Sequence, residues 1–296
     1  MTTPRGALLT GSVNYDDAEK TMRTVAEILG AHVGRIPDGE VGKRFHWIMF
    51  QPDVLGEADG IERVGAEAIP FGAGLDARPL RIADGVEAAE IALTPLGCAD
   101  ALLGELEQIL EEIPHEDVAI QWDVASEMGI LEGASGYGAV MQGWWTGGVL
   151  EGIVARLAAL VDAVPVKVEV GMHLCYGDAG EKHFVEPADT ENLVRVANAV
   201  LGAVGRPLSW LHLPVPISRN DEAYFAPLAE LADVPELYLG LVHREDGADG
   251  ARARIAAAQK VLDRDFGVAT ECGIGRAPEG TTESILRTHA AVAAPR

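Results

Sequence analysis

His173-Leu174-Cys175 places an imidazole and a thiol two residues apart. On an extended strand end, residues i and i+2 point to the same side, so both can reach one metal ion. Cys272 lies far along the chain, in Thr270-Glu271-Cys272-Gly273. Two thiols and an imidazole, with room for one more donor, make a zinc set, because soft thiolates favour zinc over magnesium or calcium. Taken singly, each has a plainer reading as a buried apolar thiol or a core histidine. Position is what favours the metal, since each stands just past a run that reads as a strand. The third cysteine, Cys98, has no partner in sequence and reads as structural.

The elements that must position these residues repeat one alternation along the chain. Strand-like runs are Ala7–Val13, His32–Ile36, Ala68–Phe71, Val118–Trp122, Val166–Met172, Leu208–Leu213, Leu237–Val242 and Val268–Glu271. Between them, apolar residues recur at three- and four-residue spacing over Asp16–Leu29, Ala99–Ile113, Gly148–Val164, Thr190–Val204, Asp221–Ala232, Gly250–Leu262 and Thr282–Val292. Asp16, Asp17 and Thr190 supply helix starts, and Gly30, Gly205 and Gly267 stand where helices should stop. Eight strands, most followed by a helix, predict a single α/β domain over residues 1–296, a (β/α)₈ TIM barrel. An open doubly wound sheet is the rival, weakened because the first strand is not followed by a GxGxxG phosphate loop. The stretch from Gly72 to Thr94 fits the alternation least well.

In such a barrel the chemistry sits on the loops after the strands. The residues there are Asn14, then Asp38 and Glu40, Asp123, His173 and Cys175, His212, His243, and Cys272. Polar, ligand-type side chains thus collect at one end. Trp144 and Trp145, between glycines after the fourth strand, could form a flat stacking wall for an aromatic donor, or pack loop against barrel.

Composition narrows the partners. The chain has 296 residues, 48% of them hydrophobic, which is ample for a core. Its 23 Lys and Arg against 46 Asp and Glu give a net charge of −23, which repels nucleic acid and anionic membrane surfaces. No apolar run of about 18 residues is long enough to span a bilayer. The first residues lack a secretory signal, so the expected compartment is the cytoplasm. A small-molecule substrate is the expected partner, and a homo-oligomer is compatible with the sequence.

The run Met172-His173-Leu174-Cys175-Tyr176-Gly177, with Glu271-Cys272-Gly273-Ile274, resembles the zinc motifs of the C-terminal catalytic barrel of cobalamin-independent methionine synthase. Leu9-Thr10-Gly11-Ser12 resembles that family's first-strand turn, Asp38-Gly39-Glu40 its HGE segment, and Gln121-Trp122-Asp123 its QxD strand end. The order and rough spacing of these blocks match across nearly the whole chain. The resemblance implies one zinc per chain, held by His173, Cys175 and Cys272, activating a homocysteine-like thiol acceptor for attack on a methyl or alkyl donor. Glu40 and Asp123 would hold the acceptor's amino group, and Gly11 and Ser12 its carboxylate.

The departures from the family are specific. His212, in Ser209-Trp210-Leu211-His212-Leu213, stands where the family has a fourth zinc ligand, a Glu, so it is either a ligand or a residue lining the mouth. The family's proton-donor His-Ser-Pro segment has no clear copy, although His243 lies in the same loop region and could supply a proton. The N-terminal barrel of full-length family members has no counterpart here, which leaves the use of folate open. Two other readings therefore stand beside the transferase. One is a zinc hydrolase or lyase acting on a small carboxylate-bearing substrate, with Asp123, Glu127 or His243 as base; the other is a non-catalytic zinc- or thiol-binding barrel.

Overall fold

The computed structural model describes residues 3–41, 61–63, 69–72, 75–77, 80–82, 97–136, 139–143, 145–177 and 182–296. Trp144 lies outside them. In chain order the elements are β1 (Ala7–Leu8), α1 (Ala18–Leu29), β2 (Ile61–Arg63), β3 (Ile69–Gly72), β4 (Leu75–Ala77), β5 (Leu80–Ile82), α2 (Gly97–Glu112), β6 (Ala119–Val124) and α3 (Ser126–Leu131). They continue with β7 (Ser135–Gly136), β8 (Ala139–Val140), α4 (Val149–Ala163), β9 (Glu169–Leu174), α5 (Glu191–Ala203), β10 (Trp210–Pro214) and α6 (Glu222–Phe225). The last are β11 (Glu236–Val242), α7 (Gly247–Ala258), β12 (Gly267–Thr270) and α8 (Thr282–Val292).

Six strands form one parallel sheet in the order β1-β12-β11-β10-β9-β6. The alternation of a strand separates two faces. Val170, Met172, Leu174, Leu211, Leu213, Leu237, Leu239 and Leu241 point outward into the main core under the helices. The opposite parity gives an inner cluster of Leu8, Trp210, Tyr238 and Ala269 with Ala119, drawn from five different strands. The sheet therefore curls around its own inner face. Small residues make room there: a Cβ on Gly171 would lie 2.0 Å from the Trp210 ring, and one on Gly267 2.5 Å from Tyr238.

The eight-stranded barrel is shown only in part. His32–Ile36 meets the sheet through a single parallel bridge, Val33 to Ala7. Of Ala68–Phe71, residues 69–71 lie in β3, which pairs antiparallel with β4 rather than joining the sheet. Gly72, the last residue of β3, pairs with Leu75, the first of β4, which leaves no room for the helical crossover a parallel pair needs. A closed ring of eight strands is not seen among the described residues.

The helices follow the expected periods with local corrections. Asp17 caps α1, its carboxylate accepting from the Lys20 N–H at 2.6 Å. The run Asp221–Ala232 is not one helix: α6 gives way to a 3₁₀ turn at Ala226–Glu230, because Pro227 cannot continue an α-helical ladder. Gly267 opens β12 instead of ending a helix, and Cys98 falls in the first turn of α2. Between Leu239 and Val242 the register of β11 against β12 shifts, where a Cβ on Gly240 would come within 2.8 Å of the Glu271 Cα.

Candidate metal centre

The inward-facing parity that places Ala119, Gly171 and Trp210 inside the sheet carries Asp123, His173 and His212 to the C-terminal end of the same face. Asp123 and His212 are register neighbours of His173 on either side. Cys175 follows β9 with the parity of His173, and Cys272 follows β12. The donor atoms of His173, Cys175 and Cys272 lie within 4.8 Å of one another. The two sulfurs are 3.9 Å apart, and the Gly177 N–H points at the Cys175 Sγ from 3.3 Å.

The surroundings push Cys272, His212 and Asp123 toward their neutral forms. The neighbouring Cys175 thiol, followed by burial, holds Cys272 well above the usual thiol range, with His173 pulling the other way. Burial, then His173, push His212 well below the usual imidazole range, so it is neutral. Burial raises the Asp123 carboxyl against the opposing pull of His173 and Gln121. A bound cation would favour both thiolates at once.

His212 makes two specific contacts. Its Nε2 lies 3.0 Å from the Thr270 carbonyl, and its Nδ1 lies 2.5 Å from the His173 Nδ1, with the rings 4.6 Å apart and tilted 46°. Thr270 Oγ1 in turn donates to the Cys272 carbonyl at 2.7 Å. His212 is not one of the three residues whose donor atoms converge.

The other named residues fall into groups. Gln121 Nε2 donates to Asp123 Oδ1 at 2.9 Å and to the Thr10 carbonyl at 2.8 Å, and Gln121 Oε1 accepts from the Trp210 indole at 3.3 Å. That one amide joins Asp123 on β6 to the turn after β1. A Cβ on Gly11 would lie 2.7 Å from Glu40 Oε1, so the Glu40 carboxylate rests over Gly11. Glu40 has φ +51°, a left-handed conformation rare for a side-chain-bearing residue. The Ser12 hydroxyl accepts from the Gly275 N–H at 3.3 Å and its carbonyl from Ile274 N–H at 2.8 Å, tying the first turn to the loop after Cys272. Trp145 is placed differently: its indole N–H donates to the Gly148 carbonyl, Arg156 lies 4.3 Å over its ring, and a Cβ on Gly152 of α4 would collide with it.

A cleft of about 650 Å³ opens onto Cys272, lined among others by His183, Arg219, His243, Glu271 and Arg276. His243 turns its Nε2 to the Val215 carbonyl at 2.9 Å, and burial lowers its pKa. His183, not singled out by the sequence, lies 3.2 Å from Glu271 and 3.0 Å from Glu186. Burial alone would lower His183, but those carboxylates outweigh it and raise its pKa. It lies outside any strand end, so the position rule that found the other residues passes over it.

No protein-family model matches the chain, and no curated protein does. Among solved structures it is similar to a B12-independent methionine synthase from Shewanella sp. W3-18-1 in complex with selenomethionine. The TM-score is 0.57 at 14% identity, over 98% of this chain and 96% of that one. It is also similar to a candidate vitamin-B12-independent methionine synthase from Listeria monocytogenes, with TM-score 0.50 at 13% identity over 99% and 98% of the two chains. At these identities the likeness establishes the fold, and the chain shares that fold over nearly its whole length.

Proposed function

We propose that the chain is a zinc-dependent methyl- or alkyltransferase acting on a homocysteine-like thiol. The observation that carries this reading is the convergence of His173, Cys175 and Cys272 within 4.8 Å at the C-terminal end of the strands, beside an open cleft. The donor set fits zinc: two soft thiols and an imidazole, with the Gly177 N–H placed to support a thiolate on Cys175. Zinc, when bound, would lower the pKa of an acceptor thiol so that the thiolate is present at neutral pH. The fold shared with a structure solved with selenomethionine supports an acceptor of amino-acid type.

In the net exchange the acceptor sulfur forms a bond to the methyl or alkyl carbon. The donor leaves with the electron pair of the broken bond and takes up the proton the thiol has lost. Asp123, aligned by Gln121, and Glu40, resting over Gly11, supply two carboxylates for the acceptor's ammonium group. That group would bring a positive charge that opposes the effect of burial on Asp123. Gly11 and Ser12 would face the acceptor's carboxylate, with Ser12 fixed by its bonds to Ile274 and Gly275. In the cleft, His183 is the histidine that holds a proton most readily, whereas burial favours neutral His243. Proton delivery to the leaving group is therefore assigned to His183, with Glu271 orienting it.

Zinc-edge X-ray absorption with and without homocysteine tests this. About one zinc per chain is expected, gaining one sulfur on addition of homocysteine. Cys272→Ala is expected to weaken zinc binding at least about 100-fold while the circular dichroism of the barrel is retained. Zinc that never gains sulfur would overturn the transferase, and full zinc occupancy at ordinary affinity in Cys272→Ala would overturn the site.

A further inference from the structure

We infer that His212 is a positioning residue that fixes the tautomer and orientation of His173, so that the chain supplies three metal ligands and the fourth place belongs to an exogenous donor. This rests on the proposed metal site and assigns a different role to the residue that stands where the resembled family has its fourth ligand. The Thr270 carbonyl can only accept, so the ring nitrogen facing it at 3.0 Å, His212 Nε2, carries a hydrogen. With that hydrogen on Nε2, the single-hydrogen tautomer of the fully buried His212 ring leaves a lone pair on Nδ1. That lone pair faces the Nδ1 of His173 at 2.5 Å, which is therefore the N–H donor. A neutral imidazole protonated at Nδ1 carries its own lone pair on Nε2, the form a metal-binding histidine needs.

Both nitrogens of His212 are thus committed to protein partners. For His212 to bind a metal it would have to give up either the Thr270 carbonyl or His173, leaving a buried polar group unsatisfied. The relay also joins two ligands mechanically. Thr270, which receives the His212 N–H, bonds through its own hydroxyl to the Cys272 carbonyl, so β9 and β12 are coupled through β10. His173 and His212 stand on the adjacent strands β9 and β10 and share one inward parity, and Thr270 meets His212 through its backbone carbonyl from β12, beyond β11.

The test compares the protein as purified with His212→Gln and His212→Leu, using zinc-edge X-ray absorption and zinc affinity by competition with a chromophoric chelator. A Gln amide can accept from His173 and donate to Thr270, so His212→Gln is expected to retain affinity within about threefold. His212→Leu is expected to lose about 10- to 100-fold, the usual effect of removing the outer hydrogen-bond partner of a metal-binding histidine. All three proteins should show two sulfurs and one imidazole. Two imidazoles in the parent protein, falling to one in both variants, would overturn the inference and leave the metal site standing. Absence of zinc binding in the parent would overturn the metal site itself and the inference with it. Equal affinity in all three proteins would show that His212 does not position His173.

Discussion

At the N-terminal end of the sheet, Arg35 bonds Glu169 and Glu236, stacks on Trp210 with its guanidinium 4.2 Å from the ring, and is joined by Arg296 and Tyr238 on Glu236. At the C-terminal end, on the same inner face, stand two thiols, two imidazoles and a carboxyl. Both ends are polar, but their electrostatics run in opposite directions. Burial opposes charge on Glu236, yet the hydrogen bonds of Arg35 and Tyr238 hold its carboxyl below the usual range. At the other end Cys272 is pushed up, His212 down and Asp123 up, each toward its neutral form. The lower end satisfies itself with its own ion pairs, whereas at the upper end burial opposes charge on Asp123 and His212. The ion-paired end and the proposed metal site thus stand at opposite ends of one parallel sheet.

The largest test of that division is at the lower end. Arg35→Met leaves two carboxylates without their shared cation and is expected to cost about 2–3 kcal/mol in urea unfolding, less than for a fully buried pair because Glu169 is half exposed. Zinc affinity of the folded protein should be unchanged; a parallel loss of zinc would show that the two ends are not independent.

At the upper end the sign should reverse. Asp123→Asn keeps the bond to Gln121 and removes a carboxyl whose ionisation the fold opposes, so stability at pH 7 is expected to rise by on the order of 1 kcal/mol. A carboxyl raised in the folded state contributes stability that is fully present below its unfolded pKa of about 3.9 and is lost as pH rises through its folded value. The advantage of the variant should therefore fade as the pH is brought down to that range. Denaturation midpoints at pH 7 and at pH 4 measure it, and the acceptor should bind more weakly throughout. A destabilised variant at neutral pH would break the comparison.

The smallest effect lies on the rim. Glu186→Gln removes one of two carboxylates that raise His183, so the imidazole titration followed by NMR should shift downward while zinc binding and the unfolding midpoint stay put.

Much of this was legible in the sequence because strand parity is a short-range property. His173 and Cys175 announce themselves at i and i+2, and Asp123 follows Gln121 on the same face, so a correctly placed strand end puts its side chains correctly. The main-sheet strands after residue 118 follow the predicted runs to within a few residues. The hairpin of β3 and β4 was missed because a short apolar run looks alike in a parallel strand and an antiparallel one, and only its pairing decides. The contacts of His212 were illegible for a different reason. A histidine at a strand end reads as a ligand in any sequence, and the neighbours on β9 and β12 that engage its two nitrogens are 39 and 58 residues away. His183 was passed over because its carboxylate partners come from its own loop and from the end of β12, a meeting that no local pattern encodes.

The slip of β12 against β11 has a bearing on which ions could be held. Opposite the Glu271 backbone stands Gly240, and any side chain there would meet main chain rather than a flexible tip. The position of the Cys272 backbone beside β11 is therefore gauged by one main chain lying on another. In the proposed zinc site, a backbone held in this way would favour sorting of cations by radius as well as by softness. Such a site would suit an ion of zinc's size and would strain around a larger thiophile such as cadmium.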